Sequence, residues 1–222
     1  MVKYQDINII YEDNHIMVVE KPANMPVCED KSLDLDLLNL LKKYIKEKYN
    51  KPGNVYLGLV HRLDRPVGGV MVFARTSKAA SRLSKQIQEN KFNKVYYAVV
   101  EGKTPKDGEF VNYLKKDNKK NMSYVCEKDE GKYAKLKYKT LKYKKDMSLV
   151  RIELETGRSH QIRVQFAYNG HPLVGDAKYN NNSDKKTLVS LFAGELSFYH
   201  PVTNDLLTFK LKMPKRYPFN LF

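Results

Sequence analysis

The chain has 222 residues, enough for one large domain with a real core, and carries 40 Lys plus Arg against 25 Asp plus Glu for a net charge of +15. That balance concentrates a polyanion at the surface and makes nucleic acid the expected partner, although a Lys-, Asn-, Ile- and Tyr-rich composition also produces solvated charge without function. Two distant cysteines, Cys28 and Cys126, exclude a disulfide framework and fit a reducing compartment; residues 1–6 lack an apolar signal core and no stretch approaches the ~20 apolar residues that span a bilayer, so the expectation is a cytoplasmic protein without a membrane partner.

In chain order, residues 7–11 and 16–22 read as two strands of a hairpin turned at Glu12-Asp13-Asn14, the second ended by Pro22. From 32 to 49 the residues Leu37, Leu38, Leu41, Tyr44, Ile45 and Tyr49 recur at helical spacing, and Pro52-Gly53 follows. A strand over 55–60 delivers the chain into His61-Arg62-Leu63-Asp64-Arg65-Pro66. If the backbone stays extended there, Arg62 and Asp64 project to one side and His61 and Leu63 to the other. Strand 70–74 comes next, then a helix over 78–89 capped at Thr76-Ser77, then strand 94–102. Residues 108–151 read as an antiparallel, Lys- and Tyr-rich region. Its stretch 134–140 puts lysines on one face, either to track a phosphate backbone or to protect a sheet edge. A strand over 147–155 leads through a tight turn to a helix beginning near Ser159. Ile162 and Phe166 would anchor that helix, His160 and Arg163 would share a neighbouring stripe, and its N-terminus would offer donors to an anion. A turn-rich connection over 170–176, a polar loop at 180–184, a last helix or strand at 188–193 and a terminal strand at 206–211 complete the chain. No repeat or long linker interrupts it, which predicts one catalytic domain over 1–222.

Eight of the 40 basic residues are Arg, and four of these, Arg62, Arg65, Arg158 and Arg163, fall in two short motifs. A lysine-preferring chain is using a planar fork where its geometry matters against carboxylate or phosphate. No glycine-rich nucleotide loop is present, the five His show no metal-ligand spacing, and no serine elbow appears, so neither a cofactor nor a metal is expected. What remains is a carboxylate, Asp64, beside arginines, which favour its ionised form. By spacing alone it is either a reactive group or a structural salt-bridge partner.

The stretch from His61 to Arg75 resembles the His-Arg-Leu-Asp motif of the RluA family of pseudouridine synthases, and further segments match in the family's order. They are Lys94-Val95-Tyr96-Tyr97-Ala98-Val99-Val100-Glu101-Gly102, Leu154-Glu155-Thr156-Gly157-Arg158-Ser159-His160-Gln161-Ile162-Arg163, Gly170-His171-Pro172-Leu173-Val174-Gly175-Asp176, and the opening Val19-Glu20-Lys21-Pro22-Ala23. The resemblance covers nearly the whole chain. It implies an α+β fold with a mixed, mainly antiparallel central sheet, flanking helices and a catalytic cleft. The implied activity is isomerisation of uridine in ribosomal or transfer RNA without a cofactor.

In that scheme Asp64 is the essential carboxylate, acting either by attack at C1′ or by removal of the 2′ proton. Tyr96 would stack on the uracil and assist loss of the C5 proton, and Arg163 would pair with Asp64. Arg62 would contact the RNA backbone or fill the gap left by the extracted base, with Arg65, Arg158, His160 and Lys94 as further RNA contacts. Extraction costs a few kcal/mol of unstacking, which stacking and phosphate contacts offset.

The chain departs from the family pattern at Val67-Gly68, where two hydroxyl residues are usual, at Asn24 in place of glycine, and at Phe192 in place of histidine. The small N-terminal RNA-binding domain of many relatives is not expected, and the protein is expected to be a monomer. Two other readings are a non-catalytic RNA-binding protein or chaperone on the same scaffold and, more weakly, a glycosidase, which would use two placed carboxylates where one is seen.

Overall fold

The computed structural model describes residues 4–30, 32–184 and 186–222. The fold is α+β, its strands mainly antiparallel, with three α-helices among the described residues. Two compact units form it: the described residues up to Asn93 with Glu195–Leu211, and Lys94–Gly194 with Lys212–Phe222.

In the first unit β1 (Asn8–Glu12) and β2 (Ile16–Lys21) make the expected hairpin. Asp13 closes its turn by accepting the His15 and Ile16 N–H groups at 2.7 and 2.8 Å, as a short carboxylate does in place of a backbone acceptor. The two-residue β3 (Gly58–Leu59) is what remains of the strand predicted over 55–60, because its register puts Gly58 opposite Ala74, the last residue of β4 (Gly68–Ala74). β4 is buried along its whole length and also pairs antiparallel with β2, Ile16 opposite Ala74 through Lys21 opposite Gly69.

Helix α1 (Leu37–Lys48) starts five residues later than the periodicity predicts. Asp36 caps it, accepting the Asn39 N–H at 3.0 Å, and Leu33 and Leu35 stay outside, 83% and 50% exposed. Helix α2 (Ser77–Gln88) is capped by the Thr76 hydroxyl as predicted. Ala79 and Leu83 of α2 pack with Ile16, Val18, Val70 and Val72 to form the core.

The second unit carries an antiparallel sheet in which β5 (Asn93–Glu101), β9 (Met147–Leu154), β8 (Lys132–Lys144), β6 (Asp107–Asp117) and β7 (Met122–Cys126) are neighbours in that order. The lysine row of β8 does not protect a sheet edge, because the strand lies between β6 and β9. Two of its lysines are ion-paired: Lys135 lies 3.4 Å from both Glu109 and Glu155, and Lys137 3.2 Å from Glu155. The apolar segment expected at 188–193 is the start of strand β10 (Leu191–Tyr199), whose later residues pair in the first unit with β11 (Leu206–Lys210).

Helix α3 (Gln161–Tyr168) begins after His160, which sits at the cap in the left-handed conformation (φ 55°). Every residue from Gln161 to Phe166 is buried, and His160 precedes the helix, so it and Arg163 do not form a helical stripe although both meet Tyr179. The Gln161 carboxamide oxygen accepts the Arg158 N–H at 3.0 Å. No described helix is long and apolar enough to cross a membrane, and no cluster of three metal-ligating side chains occurs among the described residues.

Candidate active site

In the first unit the backbone between β3 and β4 carries Asp64. The predicted alternation holds: Leu63 is buried and Arg62 exposed, while Asp64 is half-buried. His61 turns inward, its Nε2 accepting the Val72 N–H at 3.1 Å and its ring lying edge-on to Phe92. Beyond Asp64 the chain reverses at once, with the Val67 N–H donating to the Asp64 carbonyl at 2.9 Å.

Lys21, the last residue of β2, holds this turn. Lys21 is 1% exposed, and its ammonium donates to the carbonyls of Pro22 (2.9 Å), Met25 (2.7 Å) and Arg65 (3.0 Å). Three acceptors match the three donors of an ammonium and tie the loop after β2 to the peptide following Asp64. Burial pushes Lys21 down to about 7, with the Asp64 carboxylate acting upward against it and Arg65 acting downward. The signal available in sequence was a lysine closing a largely apolar strand immediately before proline.

The departures from the family pattern have local causes here. Val67 is 2% exposed, in the core. At Gly68 a Cβ would lie 3.1 Å from the Lys21 carbonyl and 3.2 Å from the Ala23 nitrogen, so the close approach of the two loops favours glycine. Asn24 adopts φ 63°, a left-handed conformation that asparagine tolerates where glycine is usual. Phe192 is buried on β10.

Arg65 is engaged by the loop before α1. Its guanidinium donates to the Ser32 hydroxyl at 2.9 Å, pairs closely with Asp34 and lies 3.8 Å from Asp30. The Arg65 hydrogen bond holds the Asp34 carboxyl below the usual range, and the Ser32 hydroxyl does the same for Asp30.

The second unit carries Tyr96 and Arg163. Tyr96 is 7% exposed on β5, opposite Ile152 of β9. Arg163 is buried on α3 and forms a two-pronged pair with the fully buried Asp176, Nε to Oδ2 at 2.7 Å and Nη2 to Oδ1 at 2.6 Å. The Tyr179 ring covers the guanidinium at 5.2 Å, and its hydroxyl accepts the Ser123 N–H at 2.7 Å and meets His160 Nδ1 at 2.8 Å. His160 thus packs inside the unit, whereas Arg158 is exposed and donates from Nε to the Tyr133 carbonyl at 2.8 Å. Burial pushes the Lys94 ammonium down. Asp176 and Tyr179 were not among the residues singled out from sequence, although Asp176 closes one of the quoted motifs.

Comparison with solved structures gives the fold. Human RNA Pseudouridylate Synthase Domain Containing 4 superposes with a TM-score of 0.77 over 94% of this chain and 89% of its own at 21% identity, which establishes the shared fold. Human RNA Pseudouridylate Synthase Domain Containing 1 gives 0.78 over 97% and 87% at 20% identity.

Residues 15–168 match the RNA pseudouridylate synthase family model, and the chain belongs to that family. It is 37% identical over 95% of its length to an uncharacterised RNA pseudouridine synthase of Aquifex aeolicus (strain VF5), of which it covers 71%. It is 33% identical over 95% of its length to ribosomal large subunit pseudouridine synthase D of Zymomonas mobilis, again covering 71%. The protein is therefore an isomerase acting on RNA, and nothing favours a non-catalytic scaffold.

Proposed function

We propose that Asp64 is the carboxylate through which this enzyme converts uridine to pseudouridine. The supporting observation is the Lys21 clamp: the turn bearing Asp64 is held through the backbone carbonyls of Pro22, Met25 and Arg65, which fixes the main chain beneath the carboxylate. In the reaction the bond from uracil N1 to C1′ breaks, the base turns, C5 bonds to C1′, and the C5 proton leaves while N1 becomes protonated. Asp64 either attacks C1′ or removes the 2′ proton.

Tyr96 stacks on the uracil and assists loss of the C5 proton, and Arg163 holds Asp64 ionised and oriented. Arg62, Arg65, Arg158 and Lys94 are assigned to the RNA, whereas His160, expected as a further RNA contact, is buried against Tyr179 and is not. Residues 1–222 form one catalytic domain, acting as a monomer in the cytoplasm. The name of the Zymomonas relative supports a uridine of large-subunit ribosomal RNA as the substrate, with transfer RNA the other candidate.

The test uses ribosomal and transfer RNA carrying tritium at uracil C5. The wild-type protein should release tritium to water. Asp64→Asn should abolish release while leaving RNA affinity within a few-fold, because affinity comes mainly from cationic contacts. Loss of binding together with activity would instead make Asp64 a structural salt-bridge partner.

A further inference from the structure

We infer that Asp176 is a positioning residue for the isomerisation, setting the orientation of the Arg163 guanidinium. The inference rests on the catalytic role of Arg163 proposed above. It starts from the geometry of the pair, in which both carboxylate oxygens are used, one on Nε and one on Nη2. A planar fork gripped along one edge cannot roll about its long axis, so the direction of the Nη1 edge is set by the carboxylate.

The grip itself is immobile. Asp176 is 0% exposed, its Oδ1 also accepts the Lys178 N–H at 3.1 Å, and its carbonyl accepts the N–H groups of Tyr179 and Asn180 at 3.1 and 2.8 Å. The turn leading to it is bonded to β5: the Glu101 N–H reaches the Pro172 carbonyl at 2.9 Å and the Val174 N–H the Val99 carbonyl at 3.0 Å. Tyr96 lies on that same strand. Asp176 therefore references Arg163 to the strand that presents the tyrosine. The Tyr179 ring at 5.2 Å blocks the guanidinium face and leaves the edge as its working direction.

A stability role alone accounts poorly for the pair. Removing two charges from water costs about as much as their attraction returns, and apolar side chains of similar volume usually serve as well. What a buried fork supplies that leucine and methionine cannot is a fixed direction for the remaining N–H groups.

Asp176→Asn tests this, because the amide turns one acceptor into a donor facing a donor and releases the fork. In the tritium assay the wild-type kcat should fall about 100-fold in the variant, the order of loss expected from an ångström-scale misplacement, while KM for the RNA stays within about threefold. In an Arg163→Lys background, where no fork exists, the same substitution should cost less than threefold further. If Asp176→Asn does not fold, Asp176→Glu, which keeps the buried charge and displaces the carboxylate by one methylene, should show the same selective loss of kcat with a retained melting transition. Wild-type kcat in a folded Asp176 variant, or equal losses in the wild-type and Arg163→Lys backgrounds, would overturn the inference. A wild-type protein that releases no tritium would overturn the proposed function instead, and the inference with it.

Discussion

Replacing Lys21 by methionine removes the buried ammonium while keeping a chain of similar length. Lys21 sits at about 7, against 10.5 for a lysine in water. The unfolded chain therefore binds a proton that the folded chain lacks between those two values, and stability contributed by this residue rises with pH across that window. Its cost is fully present below pH ~7 and gone above ~10.5, and amounts to ~5 kcal/mol at most. Urea unfolding of wild type and Lys21→Met at pH 7, 8, 9 and 10 isolates this contribution, since every other titrating group cancels in the difference. Wild type should gain on the variant by ~1.4 kcal/mol per pH unit. A flat difference from pH 7 to 10 would refute the reasoning, and would mean that the Pro22, Met25 and Arg65 carbonyls keep the amine charged at its ordinary pKa. In the tritium assay at pH 7 the variant should lose ~10- to 100-fold in kcat, because the Arg65 carbonyl after Asp64 loses its anchor.

Lys116, Lys119 and Lys120, at the turn between β6 and β7, have no carboxylate partner among the described residues. Changing all three to alanine should lower the slope of log affinity against log salt by ~2 to 3, whereas alanine at the neutralised Lys135 and Lys137 should hardly move it; equal effects would refute the distinction. Asparagine at both Asp30 and Asp34 should release Arg65 and raise RNA affinity a few-fold by filter binding, a gain that must vanish when Arg65→Ala is added. Gly175→Ala should lower unfolding free energy by ~2 kcal/mol or more, because φ is +79° and the new Cβ would meet the Leu188 carbonyl at 2.4 Å; an unchanged melting temperature would argue against that geometry.

Much of this protein was legible because its determinants are local. The hairpin around Asp13, the Thr76 cap and the strand 93–101 follow from short-range hydrogen bonding and from side-chain period, which a sequence displays directly. Asp64 stood out through its motif. Boundaries failed where a competing contact lay nearby, as at Asp36, which ends the extended chain just before α1 and leaves Leu33 and Leu35 to solvent.

By itself, then, the sequence determined most element types, the strongly basic balance, the family and the motif that singles out Asp64, since each is written in residue identity and spacing. Only the tertiary structure decided which charges matter. The register of β8 against β6 and β9 pairs Lys135 and Lys137 with carboxylates, and the loop before α1 claims Arg65. Packing also joins Lys21 to the peptide after Asp64, 44 residues away in sequence, and Arg163 to Asp176. The physical reason is that a charge acts through what surrounds it. Burial and partners are set by segments distant along the chain, and spacing within a motif carries no record of them.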